Sequence, residues 1–203
     1  MLPVGKVANE RRVFIVDRGS SPSGQPLGKW KVQVNSVQQT SYDITYSKLD
    51  GSQLQTATLS KDPRYNKIAF SFNTNTTIQI EPAKTEYDMV FTQYTFKFDT
   101  PPMNYAVTGV LINPYNTEVA IESNLAFSEI DHHHAQSLFY STDADVIGYG
   151  WKSFDLQANQ YAVDSKMVYL LKEASGNLFK LHFLDFYDEN GVKGTASFEL
   201  MRL

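Results

Sequence analysis

The chain has 203 residues, 42% hydrophobic and 20% charged, a balance that permits a sizeable core and argues against disorder. It contains no cysteine, which excludes disulfide frameworks, thiol nucleophiles and cysteine-ligated zinc or iron–sulfur centres. A formal net charge of −4 disfavours a broad phosphate-binding surface, so no nucleic-acid partner is expected.

The N-terminal MLPVGKVANERR has no long apolar stretch and shows no signal peptide. Residues 12–17 (RVFIVD) form a branched-residue run that predicts a strand, closed by a Gly/Ser/Pro loop over 18–27. Residues 30–37 alternate, with Trp30, Val32 and Val34 against Lys31, Gln33 and Asn35, which marks a strand with one buried face. Residues 41–48 and 53–60 flank an Asp50-Gly51 step, where both residue types tolerate positive φ, and predict a hairpin. A second hairpin is expected from 67–72 and 76–80 around Asn73-Thr74-Asn75.

Residues 86–98 are long, aromatic and free of Gly and Pro, and are expected to end at Asp99-Thr100-Pro101-Pro102 because proline cannot donate to a ladder. Residues 105–112 (YAVTGVLI) read as a central strand before the turn Asn113-Pro114-Tyr115-Asn116. Residues 118–145 are the least strand-like, with hints of short helical turns. The run Met167-Val168-Tyr169-Leu170-Leu171 suits a buried strand and opens a three-stranded C-terminal meander with turns at Gly176 and Gly191. The pattern predicts one all-β domain over residues 1–203, built of antiparallel sheets and hairpins. No apolar run approaches the ~20 residues of a membrane-spanning helix.

The aromatic content (13 Phe, 12 Tyr, 2 Trp) follows largely from strands, since flat rings pack well on a pleated surface. Among chemical candidates, His132, His133 and His134 offer ring nitrogens for a metal or haem iron. On a strand at most two of them would converge, the HExxH spacing is missing, and an exposed polar loop is the alternative reading. His182 is expected to face solvent or the edge of the core. Met89 and Met167 lie in strand patterns and read as core filler. Met103 follows two prolines in an expected loop beside Asn104 and Tyr105, where a thioether among aromatics can line a flat hydrophobic ligand site or plug the end of a sandwich. No paired-carboxylate spacing, GxSxG or phosphate-cradling glycine loop appears, which disfavours nucleotide enzymes and serine hydrolases.

Four segments in order resemble the HmuY-like family of exported haem-binding lipoproteins: KIAFSFNTNTTIQIEPAKTEYDMVFTQYTFKF at 67–98, TGVLINPYNTEVA at 108–120, DVIGYGWKSFD at 145–155, and a C-terminal stretch over 161–203 ending VYLLKEASGNLFKLHFLDFYDENGVKGTASFELMRL. The resemblance covers about residues 65–203. It implies the family's all-β fold and a carrier that binds haem or a related porphyrin for delivery to an outer-membrane receptor. It also implies export and lipid anchoring at the outer membrane through a cysteine preceding this sequence. In the best-known members the first axial histidine lies before the Gly-Trp segment, approximately where His132–His134 stand. The second follows a Trp-x-x-Phe pattern, here Trp151-Lys152-Ser153-Phe154, but Asp155-Leu156-Gln157 comes next with no histidine. Some relatives are thought to use methionine, which makes Met103, with Tyr105 beside it, the substitute that the resemblance implies. A surface module of the same fold that binds another ligand or a partner protein is the alternative.

Overall fold

Strand pairing in this chain is carried by short turns that the side chains themselves stabilise. The computed structural model describes residues 12–21 and 23–203; the N-terminal stretch read for an export signal lies outside them. The described residues fall into two compact units, one ending at Pro82 and the next beginning at Ala83.

In the first unit, β1 (Val13–Asp17), β2 (Lys29–Val37), β3 (Ser41–Lys48) and β4 (Gln55–Ser60) form an antiparallel meander in chain order. The alternation of β2 works as expected: Trp30 and Val34 are buried against Ile44 and Tyr46. The Asp-Gly turn forms between β3 and β4, with Gly51 at φ +89° and the Ser52 amide donating to Asp50 Oδ1 at 2.9 Å. The hairpin of β5 (Ala69–Ser71) and β6 (Thr76–Ile78) turns through Asn75 at φ +53°. Next to it, Phe72 stacks on Trp30 at 5.4 Å and Phe70 meets Tyr46 edge-on at 5.4 Å. Tyr46 Oη lies 2.8 Å from Gln55 Oε1 and 2.6 Å from Asn75 Oδ1, so the buried phenol is hydrogen-bonded.

The second unit opens with a long hairpin of β7 (Met89–Asp99) and β8 (Pro102–Ile112), paired from Met89–Ile112 to Asp99–Pro102. The strand expected from 86 starts later because Asn113 claims the preceding backbone. Its amide donates to Asp88 O at 2.7 Å and its side chain to Lys84 O at 2.7 Å and Tyr87 O at 2.5 Å. At the other end the expectation of a loop over 101–104 is corrected. Pro102 takes the first position of a strand, where a missing N–H breaks little of the ladder, and Met103 lies within β8.

The predicted C-terminal meander is present as β12 (Val168–Lys172), β13 (Leu178–Tyr187) and β14 (Lys193–Arg202). It is extended by β9 (Glu118–Glu122), giving the order β14-β13-β12-β9, so part of the segment read as least strand-like is a strand after all. With a neighbour on both sides, β12 is buried on both faces. Tyr169 and Leu171 pack with Val110, Trp151 and Phe183, and Val168 and Leu170 pack with Ala120, Ile130 and Ala135. That is why its sequence is an unbroken apolar run with no alternation. The second face is covered by a 3-10 turn (Phe127–Glu129) and α1 (His132–Ser137), the short helical turns expected in this stretch. A strap over 141–150 follows, bonded to β9 through Ser141 and Val119 at 2.9 Å and to β8 through Val110 and Gly148 at 2.8 Å. It leads into the small hairpin of β10 (Lys152–Asp155) and β11 (Gln160–Val163).

Candidate functional site

The three adjacent histidines begin α1, and neither the strand geometry nor the open loop weighed for them applies. Asp131 caps the helix, accepting the His134 amide at 2.8 Å, and Ala135 anchors it to the core. Successive helical residues are turned by about 100°, so the imidazoles diverge. His132 meets Gln136 one turn on at 3.0 Å, and His133 is exposed. His134 Nε2 lies 2.8 Å from Glu122 Oε2, whose side chain is nearly buried. The Asn124 amide, at 2.6 Å, is the main cause that holds the Glu122 carboxyl below its ordinary range, and His134 adds to it. His134 is therefore engaged in tying α1 to β9. Among the described residues no group of three or more His, Asp or Glu side chains is arranged to hold a metal ion.

Met103 and Tyr105 lie at the far end of the β7–β8 hairpin, on one face two residues apart, 45% and 56% exposed. Their cross-strand partners are Phe98 and Phe96. Phe96 and Phe98 meet edge-on at 5.0 Å, Phe98 reaches Tyr105 at 6.5 Å, and Tyr149 from the strap closes against Phe96 at 5.1 Å. The result is an accessible pad of one thioether and four rings. A polarizable sulfur next to aromatic rings suits a flat apolar ligand and, when a metal is present, a soft one. The sequence-predicted residues thus divide into two groups: Met103 and Tyr105 share this pad, whereas the histidine helix packs against the cluster around Ala120 and Val168.

The turn after Trp151-Lys152-Ser153-Phe154 carries Leu156, 86% exposed, above an Asp155 carboxylate that accepts the amides of Gln157 and Ala158 at 2.8 and 3.0 Å. No nitrogen ligand occupies that turn. The sequence model of the family described as HmuY protein matches residues 27–200, from just before β2 into β14.

The chain belongs to the HmuY family.

No curated protein and no solved structure gives a significant match. No helix among the described residues is long and apolar enough to cross a membrane.

Three residues important to this HmuY-family unit escaped sequence reading. Tyr149 joins the pad only because the strap folds beside β7. Lys152 is buried, its Nζ donating to Thr108 O at 2.5 Å and lying 4.2 Å from the Trp151 ring and 4.7 Å from Phe186. Burial lowers its amine to about 8. Lys180 shares the face of β13 with His182 but is also buried, donating to the carbonyls of Phe127 and Ile130 at 2.6 and 2.9 Å. His182 stacks on Phe127 at 4.2 Å and bonds Glu199 at 3.0 Å, an edge-of-core position. The alternation of β13 places Lys180 and His182 on one face but gives no sign that this face is covered, since the cover comes from residues about fifty positions away.

Proposed function

We propose that this HmuY-family chain is an exported surface carrier that binds haem or a related porphyrin and passes it to an outer-membrane receptor. Lipid anchoring at the outer membrane belongs to the same proposal. The observation that carries it is the exposed Met103 thioether set among Phe96, Phe98, Tyr105 and Tyr149. Those residues fit the group chemically: the rings offer flat apolar surface to a macrocycle, and the sulfur is a soft ligand for its iron. When bound, haem would supply an iron centre held from the protein side by Met103. His132, His133 and His134 are the alternative iron ligands.

Haemin titration of the purified chain, oxidised and then reduced, tests the reading. A saturable Soret change is expected, strongest in the reduced state because a thioether prefers ferrous iron. Met103→Ala should remove most of it, while the triple variant His132→Ala, His133→Ala, His134→Ala should leave it. The reverse pattern transfers the role to the histidines. No saturable change in either redox state would sink the haem reading.

A second reading is favoured by Leu156 in the turn after the Trp-x-x-Phe pattern and by the engagement of His134 with Glu122. In it the chain is a surface module that binds another ligand or a partner protein through the same pad.

A further inference from the structure

Next to the pad lies a distinct cavity of about 300 Å³. Its walls include the rings of Tyr94, Phe96, Tyr149 and Tyr169, with Met167 between strands and Asp145 from the strap. Among the described residues no Lys, Arg or His lines it, and Asp145 is the sole charged one that does. The Asp145 carboxylate is exposed and has no hydrogen-bond or ion-pair partner among the described residues. The Tyr94 hydroxyl is buried, likewise without a partner, and burial pushes its pKa up, with the nearby Asp145 charge and Tyr149 adding to the effect. Asp164 bears on Tyr169 in the same sense. Asp145 and Asp164 therefore both bring negative charge to phenols that line the cavity. Gly148 keeps the space open: its φ is +58°, and a Cβ there would sit 3.2 Å from the Tyr94 hydroxyl.

Aromatic faces carry negative potential and attract cations, most strongly where water is partly excluded. A carboxylate at the rim of a ring-lined cavity adds charge of the same sign. We infer that this cavity binds an organic ammonium ion, a quaternary amine or small protonated amine, with Tyr94, Phe96 and Tyr149 around the cation and Asp145 facing its charge. The volume lies at the lower end of small-ligand sites and suits a compact head group, not an extended ligand. An anion would be repelled, and a neutral molecule of the same shape would gain nothing from Asp145. This inference does not depend on haem. The cavity shares Phe96 and Tyr149 with the pad but not Met103.

The probe is tetramethylammonium, titrated into the full chain and followed by proton NMR, with tert-butyl alcohol as the neutral control of similar shape. Saturable binding with an upfield shift of the methyl resonance is expected, since the methyls would lie over ring faces. Asp145→Asn should weaken it roughly tenfold, the scale of one charge near contact in a partly exposed site. Met103→Ala should leave it unchanged while altering the haemin titration, which separates the two readings. Equal affinity for tert-butyl alcohol, an unchanged Asp145→Asn variant, or no saturation with tetramethylammonium would each overturn the inference. Asp145 is exposed, so its variant should fold, and an unchanged near-UV spectrum checks this.

Discussion

Gly109→Ala is a sharp test of how the strap is held. The backbone at Gly109 passes so close to the strap that an added Cβ would sit 2.4 Å from Gly148 O and 2.7 Å from Gly148 C. Ordinary carbon–oxygen contact begins at about 3.4 Å, so the strap must retreat by about 1 Å or the contact must stay compressed. Retreat stretches the reciprocal bonds Val110 N to Gly148 O, now 2.8 Å, and Gly148 N to Val110 O, now 3.0 Å, beyond hydrogen-bonding range. Two such bonds lost from a buried position cost ~1–3 kcal/mol. Compression costs about the same, ~1–3 kcal/mol for an overpacked site. Either route predicts a urea midpoint lower by an amount corresponding to ~1–3 kcal/mol at unchanged slope. Gly150→Ala is the matched control: its Cβ meets nothing within 4 Å, so the midpoint should stay within ~0.5 kcal/mol or rise slightly. Because Tyr149 rides on the strap, Gly109→Ala should also weaken ligand binding at the pad. Equal midpoints for Gly109→Ala and the wild type would refute this account of the close approach.

Lys152 makes stability depend on alkaline pH. Its folded amine titrates at about 8, below the ordinary lysine value of 10.5, so from pH 8 upward the unfolded chain binds more protons and stability rises with pH. The clean window is pH 8 to 10, because burial raises the Tyr94 and Tyr169 phenols and these reverse the trend above it. Urea midpoints across that window should climb by at most about 1.4 kcal/mol per pH unit and flatten in Lys152→Met. Glu122 has the same sign at the acid end: its folded carboxyl is lowered, so its contribution is present at neutral pH and lost as pH falls through the depressed value. Glu122→Gln should therefore destabilise by ~1–3 kcal/mol at pH 7 and converge with the wild type in acid, read from paired denaturation curves. In the first unit, Tyr46→Phe leaves the acceptors Gln55 and Asn75 without the phenol and should cost ~1 kcal/mol by calorimetry or urea, with no effect on haemin titration.

How far the sequence revealed this molecule depended on the range of the forces involved. The Asp50-Gly51 turn and the alternation of β2 are local, and both formed where expected. The buried character of Val168–Leu171 was legible because burial on two faces leaves no polar position to write. Met103 was misplaced for a subtler reason: proline was taken to end order, yet at the first residue of a strand it ends only one hydrogen bond. The histidine run was read by composition, while Asp131, three residues before His134, was the capping signal for a helix. Lys180 was invisible to alternation, since Phe127 and Ile130, far away in sequence, decide whether that face of β13 is wet. Met103 and Tyr105 were named from the sequence and do share a surface. Tyr149 and Asp145 reach theirs through the course of the strap, which no local pattern encodes.

The β7–β8 hairpin carries one more consequence. At one end Val107, Val110 and Ile112 are sealed in the core, and from Pro102 to Ala106 β8 lies open to solvent. Eleven paired residues at about 3.4 Å each make a rod of roughly 37 Å. Amide exchange along it should grade from hours at the root to fast local fraying at the tip, with no boundary between them. The tip can fray while the root stays closed. Under the proposed function, recognition and durability would sit at opposite ends of one continuous element.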